Sequence, residues 1–204
     1  MYAYPERFIL ASASPRRQKM LQLLKAPFEV VLPEVSEKLT GAEDPIPLVH
    51  RLSREKALSA AEKVADREKT AVIVGCDTIV VLEREIFGKP RDMEEAYAML
   101  EKLQGRTHMV YSGLTLVKLE KGRQETISNF AATEVTMCRL TRPEIERYFS
   151  LEDPLDKAGA YAIQDGGSLI ISAIDGDYYN VLGFPVRTLE ELLNQWGYSL
   201  FAIR

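Results

Sequence analysis

Asp77 is the residue best placed for chemistry, because it lies between two apolar runs, 70–74 and 79–82, that predict buried β-strands. An ionised carboxylate is costly to bury without a partner. Asp77 therefore needs a lysine or arginine partner, a metal ion or a role in proton transfer. Gly75 allows the backbone to bend, or another element to approach closely, at the same place. Asp77 is thus the strongest catalytic candidate in the chain.

The segment 12–17, with sequence SASPRR, is the second candidate, since it follows an apolar run and precedes helical spacing. Ser14 lies at the N-cap position and Pro15 at the first helical position. A helix N-terminus presents free N–H groups and favours an anion. Arg16 and Arg17 therefore stand where the helix dipole disfavours cations. A phosphate bound between them would explain this placement, and so would a solvated helix start that carries two arginines.

Several other charged residues become candidates only if the fold brings them near Asp77. Lys89 lies in a turn a few residues after the predicted strand that follows Asp77, and its ammonium would either neutralise Asp77 or contact a phosphate. Lys56 lies on a helix predicted over 48–64, where a lysine points to water unless the helix borders a site. A loop predicted over 33–47 carries four carboxylates, for which solvation is the ordinary explanation: Glu34, Glu37, Glu43 and Asp44.

Composition and charge narrow the classes of function. The net charge of −4 argues against a nucleic-acid partner. No apolar run approaches the roughly 20 residues that span a membrane, and the N-terminus lacks the regions of a signal peptide, so we expect a cytoplasmic protein that does not bind a membrane. Cys76 and Cys138 lack metal-ligand spacing and are expected to be buried thiols. His50 and His108 are expected on the surface or in the core rather than as ligands.

Apolar periodicity predicts strands that alternate with helices at both ends of the chain and pair as hairpins in the middle. The expected fold class is α/β, with a mixed twisted sheet flanked by helices and one domain over 1–204 formed by two lobes around a cleft. Helices are predicted over 15–25, 48–64, 92–103, 141–150 and 186–196, and strands over 8–11, 28–32, 70–74, 79–82, 109–118, 125–137 and 169–174.

The sequence resembles the Maf family of nucleotide pyrophosphatases along nearly its whole length. The resemblance rests on short motifs that are weak one by one and specific in their order. They are LASASPRR (10–17), SE (36–37), EKA (55–57), GCDTIV (75–80), GKP (88–90), YSG (111–113), DKAGAYAIQ (156–164) and DYYNV (177–181).

This resemblance implies that the protein hydrolyses a nucleoside triphosphate to the monophosphate and pyrophosphate with a divalent cation, Mg²⁺ or Mn²⁺. It also implies a fold similar to that of the inosine triphosphate pyrophosphatases, and homodimers are common in the family. Asp77 is implied as the proton acceptor, with Glu37 and Asp77 at the metal. Ser36 stands where an aspartate is frequent, so a second carboxylate beside Glu37 would have to come from Glu34. The groups implied around the phosphates and metal are Ser14, Arg17, Glu37, Lys56 and Lys89.

Substrate choice is implied to depend on Arg16, Thr78 and Gln164, which match the branch acting on dTTP and UTP. The branch that prefers 7-methyl-GTP typically has tryptophan, glutamine and glutamate there. A glutamine amide complements the O4 and N3–H of uracil or thymine, but a flipped amide suits cytosine, so a fixed neighbour must orient Gln164. Removal of non-standard nucleotides is a related expectation. The resemblance leaves two alternatives, 7-methyl-GTP specificity and a nucleotide-sensing regulator of septum formation and cell division.

Overall fold

The computed structural model of the protein describes residues 2–36, 44–64 and 70–203. These residues form seven strands, six α-helices and three 3₁₀ helices at 158–160, 165–169 and 200–202. In chain order the strands and α-helices are β1 (Phe8–Ala11), α1 (Pro15–Leu23), β2 (Glu29–Val30), α2 (Pro45–Val64), β3 (Ala71–Leu82), β4 (Glu85–Phe87), α3 (Met93–Leu103), β5 (Thr107–Glu120), β6 (Arg123–Met137), α4 (Arg142–Phe149), β7 (Ile171–Asp175), α5 (Tyr178–Val181) and α6 (Val186–Gln195).

The strands form one mixed sheet in the order β2-β1-β3-β5-β6-β7, with β4 paired to β3 outside this path. Strand β1 runs parallel to both β2 and β3, whereas β3 with β4 and β6 with β7 are antiparallel pairs. Helices flank the sheet, so the predicted α/β class is confirmed. None of the described helices combines the length and the apolar content needed to cross a membrane.

The chain divides into two compact units. The first comprises residues 1–77, 112–130 and 183–204, and its core packs α2 against β1 and the start of β3 through small residues such as Ala57 and Ala60. The second comprises residues 78–111 and 131–182, and its core gathers α3, α4 and the ends of β3 and β6. The single domain expected over 1–204 stays a prediction.

Several boundaries differ from those predicted. Residues 71–82 form one continuous strand, so the two predicted runs are halves of β3 and Asp77 lies inside it. Helix α2 begins at Pro45, within the loop predicted over 33–47, because proline fits the first helical turn. The predicted loop residues 37–43 lie outside the described residues. Strand β2 has only two residues, and β7 begins at Ile171 because a 3₁₀ helix occupies 165–169.

His108 is a core residue of the second unit. Its Nε2 lies 2.6 Å from the Tyr161 hydroxyl oxygen, and the two rings meet edge to face at 5.3 Å. Burial disfavours the imidazolium and lowers the pKa of His108 to about 4, and burial likewise raises the pKa of Tyr161. His108 is therefore neutral in the folded protein at pH values where an unfolded histidine is already protonated.

We predict that His108 makes the protein less stable as the pH falls from about 6.5 to about 4. In this window the unfolded chain binds a proton that the folded chain excludes, so the free energy of unfolding decreases by about 3 kcal/mol at the acid end. Urea unfolding at pH 7.5 and pH 5 measures the loss. His108→Gln should reduce the pH dependence, and an unchanged dependence would show that His108 is not its source.

Candidate active site

Lys56 and Asp77 form a buried ion pair in the first unit. Lys56 lies on α2 and Asp77 inside β3, and the two residues are 7% and 6% exposed. Lysine Nζ donates a hydrogen bond of 2.6 Å to Asp77 Oδ1. Of the three explanations that the sequence left open for a carboxylate here, the structure supplies a lysine partner. That partner is Lys56, on the helix, rather than Lys89, which is nearer in the chain.

The periodicity of α2 explains why Lys56 points inward. Val49, Ser53 and Lys56 recur at intervals of four and three residues and share the buried face of the helix. The aliphatic part of a lysine side chain can lie along an apolar surface while its ammonium reaches a polar partner. Lys56 is therefore held in the interior by the register of the whole helix.

The two oxygens of the Asp77 carboxylate have different surroundings. Oδ1 accepts the hydrogen bond from Lys56, whereas no hydrogen-bond donor among the described residues reaches Oδ2. The hydrogen bond from the Lys56 ammonium fixes the direction of the carboxylate. Asp77 thus combines a fixed orientation with one oxygen that can accept a proton from a water molecule, as a general base requires.

Arg17 connects three segments of the first unit near Asp77. Its Nε donates to the Gly183 carbonyl oxygen at 2.9 Å, and its Nη1 donates to Cys76 O at 2.7 Å and to Ser12 Oγ at 3.2 Å. Cys76 directly precedes Asp77 in β3. These acceptors explain how a buried arginine is stabilised at the start of α1. The role in phosphate binding that was expected for Arg17 stays a prediction.

The turn before α1 depends on Ser12, the first residue of the candidate segment 12–17, for which the sequence predicted no separate role. Ser12 Oγ accepts hydrogen bonds from Ser14 N at 3.1 Å and from Arg17 Nη1. Ser14 occupies the predicted N-cap position, but its hydroxyl does not cap the helix. The sequence signal for Ser12 is its position two residues before Ser14. A serine hydroxyl in a turn often accepts a hydrogen bond from the backbone N–H two residues later. Ser14 and Arg16 are half-buried at the same helix start.

The remaining predicted residues lie in the second unit, where Thr78 and Gln164 are half-buried and Lys89 is exposed. Two hydrogen bonds order the segment before Gln164. Gly159 N donates to Gly88 O at 3.0 Å, and Ala162 N donates to the Tyr148 hydroxyl at 3.0 Å. The Gln164 side-chain amide itself has no hydrogen-bond partner among the described residues. The neighbour expected to orient that amide is therefore not found in this part of the chain.

The predicted metal ligands are only partly described. Glu37 lies outside the described residues, and those that are described contain no cluster of three potential metal-binding side chains. Mg²⁺ in phosphate-transfer sites binds one or two carboxylates and completes its shell with waters and substrate phosphates. Asp77 is the described residue that is predicted as one ligand of such a site. The metal ion and its second carboxylate ligand, Glu37, stay predictions.

The structure is that of an α/β protein with a buried lysine–carboxylate pair. A carboxylate that can activate water is the kind of group that a hydrolase uses, so the fold and site point to a hydrolase. Residues 7–196 match the family described as Maf-like protein. The chain belongs to this family.

Relatives of known name cover almost the whole chain. It is 44% identical over 192 residues to a protein of Carboxydothermus hydrogenoformans named dTTP/UTP pyrophosphatase, covering 94% of this chain and 100% of that one. A protein of Symbiobacterium thermophilum with the same name is 43% identical over 196 residues, covering 96% and 97% of the two chains. The solved Ham1 protein of Staphylococcus aureus is similar at a TM-score of 0.44 and 15% identity, with 94% and 100% coverage, a likeness too weak to support an argument.

Loss of the Lys56 ammonium should destabilise the protein strongly. Lys56→Met leaves the Asp77 carboxylate buried without its partner, and we expect the free energy of unfolding to fall by about 3–5 kcal/mol. Urea unfolding at pH 7 measures the change. Lys63→Met is the matched control, because Lys63 lies on the same helix as Lys56 but pairs with the exposed Glu34. Removal of the Lys63 ammonium should change stability little. Equal effects of the two substitutions would contradict the importance of burial.

Arg17→Lys should destabilise the protein although it keeps the positive charge. A lysine cannot direct donors toward Ser12, Cys76 and Gly183 with the geometry of a guanidinium, so we expect a loss of about 1–3 kcal/mol. The melting temperature and urea unfolding measure it. Arg187→Lys, at an exposed arginine paired with Glu191, is the control and should have little effect. A fully stable Arg17→Lys protein would show that the three acceptors are not needed.

Proposed function

We propose that this protein hydrolyses nucleoside triphosphates, with dTTP and UTP as the favoured substrates, to the nucleoside monophosphate and pyrophosphate. The observation that carries the proposal is the buried Lys56–Asp77 pair, in which one carboxylate oxygen is fixed and the other can accept a proton. The activity in the names of relatives 43–44% identical over nearly the whole chain supports the same reaction and substrates.

Asp77 acts as the general base in the proposed mechanism. Its Oδ2 removes a proton from a water molecule as the water oxygen forms a bond to the α-phosphorus. The bond from that phosphorus to the bridging oxygen breaks, and pyrophosphate leaves with the bonding electrons. The proton held on Asp77 then passes to solvent. Lys56 fixes the direction of the Asp77 carboxylate through its hydrogen bond to Oδ1.

Charge on the phosphates would be balanced by residues at the start of α1 and by lysines. Hydrolysis of this kind depends mainly on positioning and electrostatics. We assign Ser14, Arg17, Lys56 and Lys89 to this role on the family resemblance, together with the helix N-terminus. A divalent cation, Mg²⁺ or Mn²⁺, held by Asp77 and Glu37 would supply further neutralisation of phosphate charge.

Base recognition is assigned to Arg16, Thr78 and Gln164 on the same resemblance. A glutamine amide can accept from the N3–H of uracil or thymine and donate to its O4. Removal of non-standard pyrimidine nucleotides is the biological role that fits this choice. A homodimer in the cytoplasm is the assembly and location that we propose from the family alone.

Asp77→Asn should bind nucleotide and lose nearly all turnover, because an amide cannot take up the proton. We expect kcat for UTP to fall by about 100-fold or more with a small change in KM. Pyrophosphate release with Mg²⁺ measures it. Asp175→Asn, at an exposed aspartate of β7, is the matched control and should retain activity. An active Asp77→Asn protein would remove Asp77 from its role.

The substrate assignment has its own test, a panel of nucleoside triphosphates assayed with the unmodified protein. We expect dTTP and UTP to give the highest kcat/KM. Turnover of 7-methyl-GTP equal to or above that of UTP would contradict the assignment made from Arg16, Thr78 and Gln164. The absence of pyrophosphate release from every nucleotide would contradict the proposed enzyme.

A further inference from the structure

Two glycines under helix α2 lie where no side chain fits. A methyl group on Gly75 of β3 would lie 2.2 Å from the Ser53 carbonyl oxygen and 2.6 Å from Ala57 N. A methyl group on Gly113 of β5 would lie 2.2 Å from the Val49 carbonyl oxygen. The atoms in the way belong to the helix backbone, so a side-chain rotation cannot relieve these contacts. Helix α2 therefore rests directly on the strand backbones at both places.

These contact points bracket the catalytic lysine. Val49, Ser53 and Ala57 follow one another at four-residue spacing along the buried face of α2, and Lys56 lies on the same face between the last two. A hydrogen bond of 2.9 Å between the hydroxyls of Ser53 and Thr115 also joins the helix to β5. The height of α2 above the sheet is thus set by Gly75 within one turn of Lys56 and by Gly113 two turns before it.

We infer that Gly75 and Gly113 are positioning residues for the Lys56–Asp77 pair. Their missing side chains allow the close approach of α2 that brings Lys56 Nζ to 2.6 Å from Asp77 Oδ1. An unstrained contact between carbon and a carbonyl oxygen is about 3.3 Å, so an alanine at either glycine would displace the helix by on the order of 1 Å. A displacement of this size is comparable to the tolerance of a catalytic arrangement.

The inference rests on the proposed function for its catalytic consequence, but not for its structural one. Gly113 is the more informative position, because it lies on a different strand from Asp77 and contacts α2 seven residues before Lys56. Gly113→Ala leaves β3 itself unmodified. An effect on the ion pair therefore passes through the position of the helix or through the pairing of β5 with β3.

The test measures the energetic coupling between Lys56 and Asp77 by urea unfolding. The double-mutant cycle of Lys56→Met and Asp77→Asn is made in the unmodified protein and in Gly113→Ala. We expect the coupling to fall by more than half in Gly113→Ala. Gly122→Ala is the matched control. Its φ of 74° strains an alanine at a hairpin turn, but no atom lies within 4 Å of the added methyl group. The coupling should therefore be retained in this variant. Unchanged coupling in Gly113→Ala would overturn the inference.

A second variant and a kinetic measurement complete the test of the positioning role of Gly75 and Gly113. If Gly113→Ala does not fold, Ala57→Ser is the second variant, since it adds one atom on the helix side where α2 meets Gly75. It should also weaken the coupling, and retained coupling there would overturn the inference. The kcat for UTP should fall by about 100-fold in Gly113→Ala while KM changes little. Because the coupling is measured without substrate, an inactive unmodified protein would refute the proposed function and leave this inference to be decided by the unfolding data.

Discussion

The constraint on which the site depends is that an ionised carboxylate inside a strand must have a partner of opposite charge. Asp77 is 6% exposed within a strand whose other residues are mostly apolar, and Lys56 meets this requirement at 2.6 Å. Desolvation of two charges is offset only when the geometry of the pair is good. Helix α2, which carries this ammonium, packs directly on the strand backbones at Gly75 and Gly113.

Arg17 is a second buried charge that needs polar partners. Its guanidinium reaches two carbonyl oxygens and a hydroxyl, and it fixes the backbone next to Asp77 through Cys76 O. The strand–turn–helix at residues 8–23 is therefore connected both to β3 and to the chain before α6. The residues that the sequence suggested for anion binding also hold the strand that carries the proposed base.

Much of the fold could be predicted from the sequence, because apolar periodicity and capping residues act locally; β1, α3 and the capping box of Thr141 and Glu144 follow from them. Asp77 also stood out, since a charge in an apolar run is a local signal. Its partner did not, because Lys56 is 21 residues away and is brought near only by helix packing. Two acceptors of Arg17 are carbonyl oxygens, one of them 166 residues away, for which side-chain types give no signal.

The proposed role of Asp77 is to direct a water molecule at the α-phosphorus of a nucleoside triphosphate. A crystal structure of Asp77→Asn with bound UTP and Mg²⁺ would reveal the position of that water. We expect a water molecule within about 2.6–3.2 Å of the residue 77 side chain and in line with the bond from the α-phosphorus to the leaving oxygen. A nucleotide bound with its α-phosphate remote from residue 77 would contradict it.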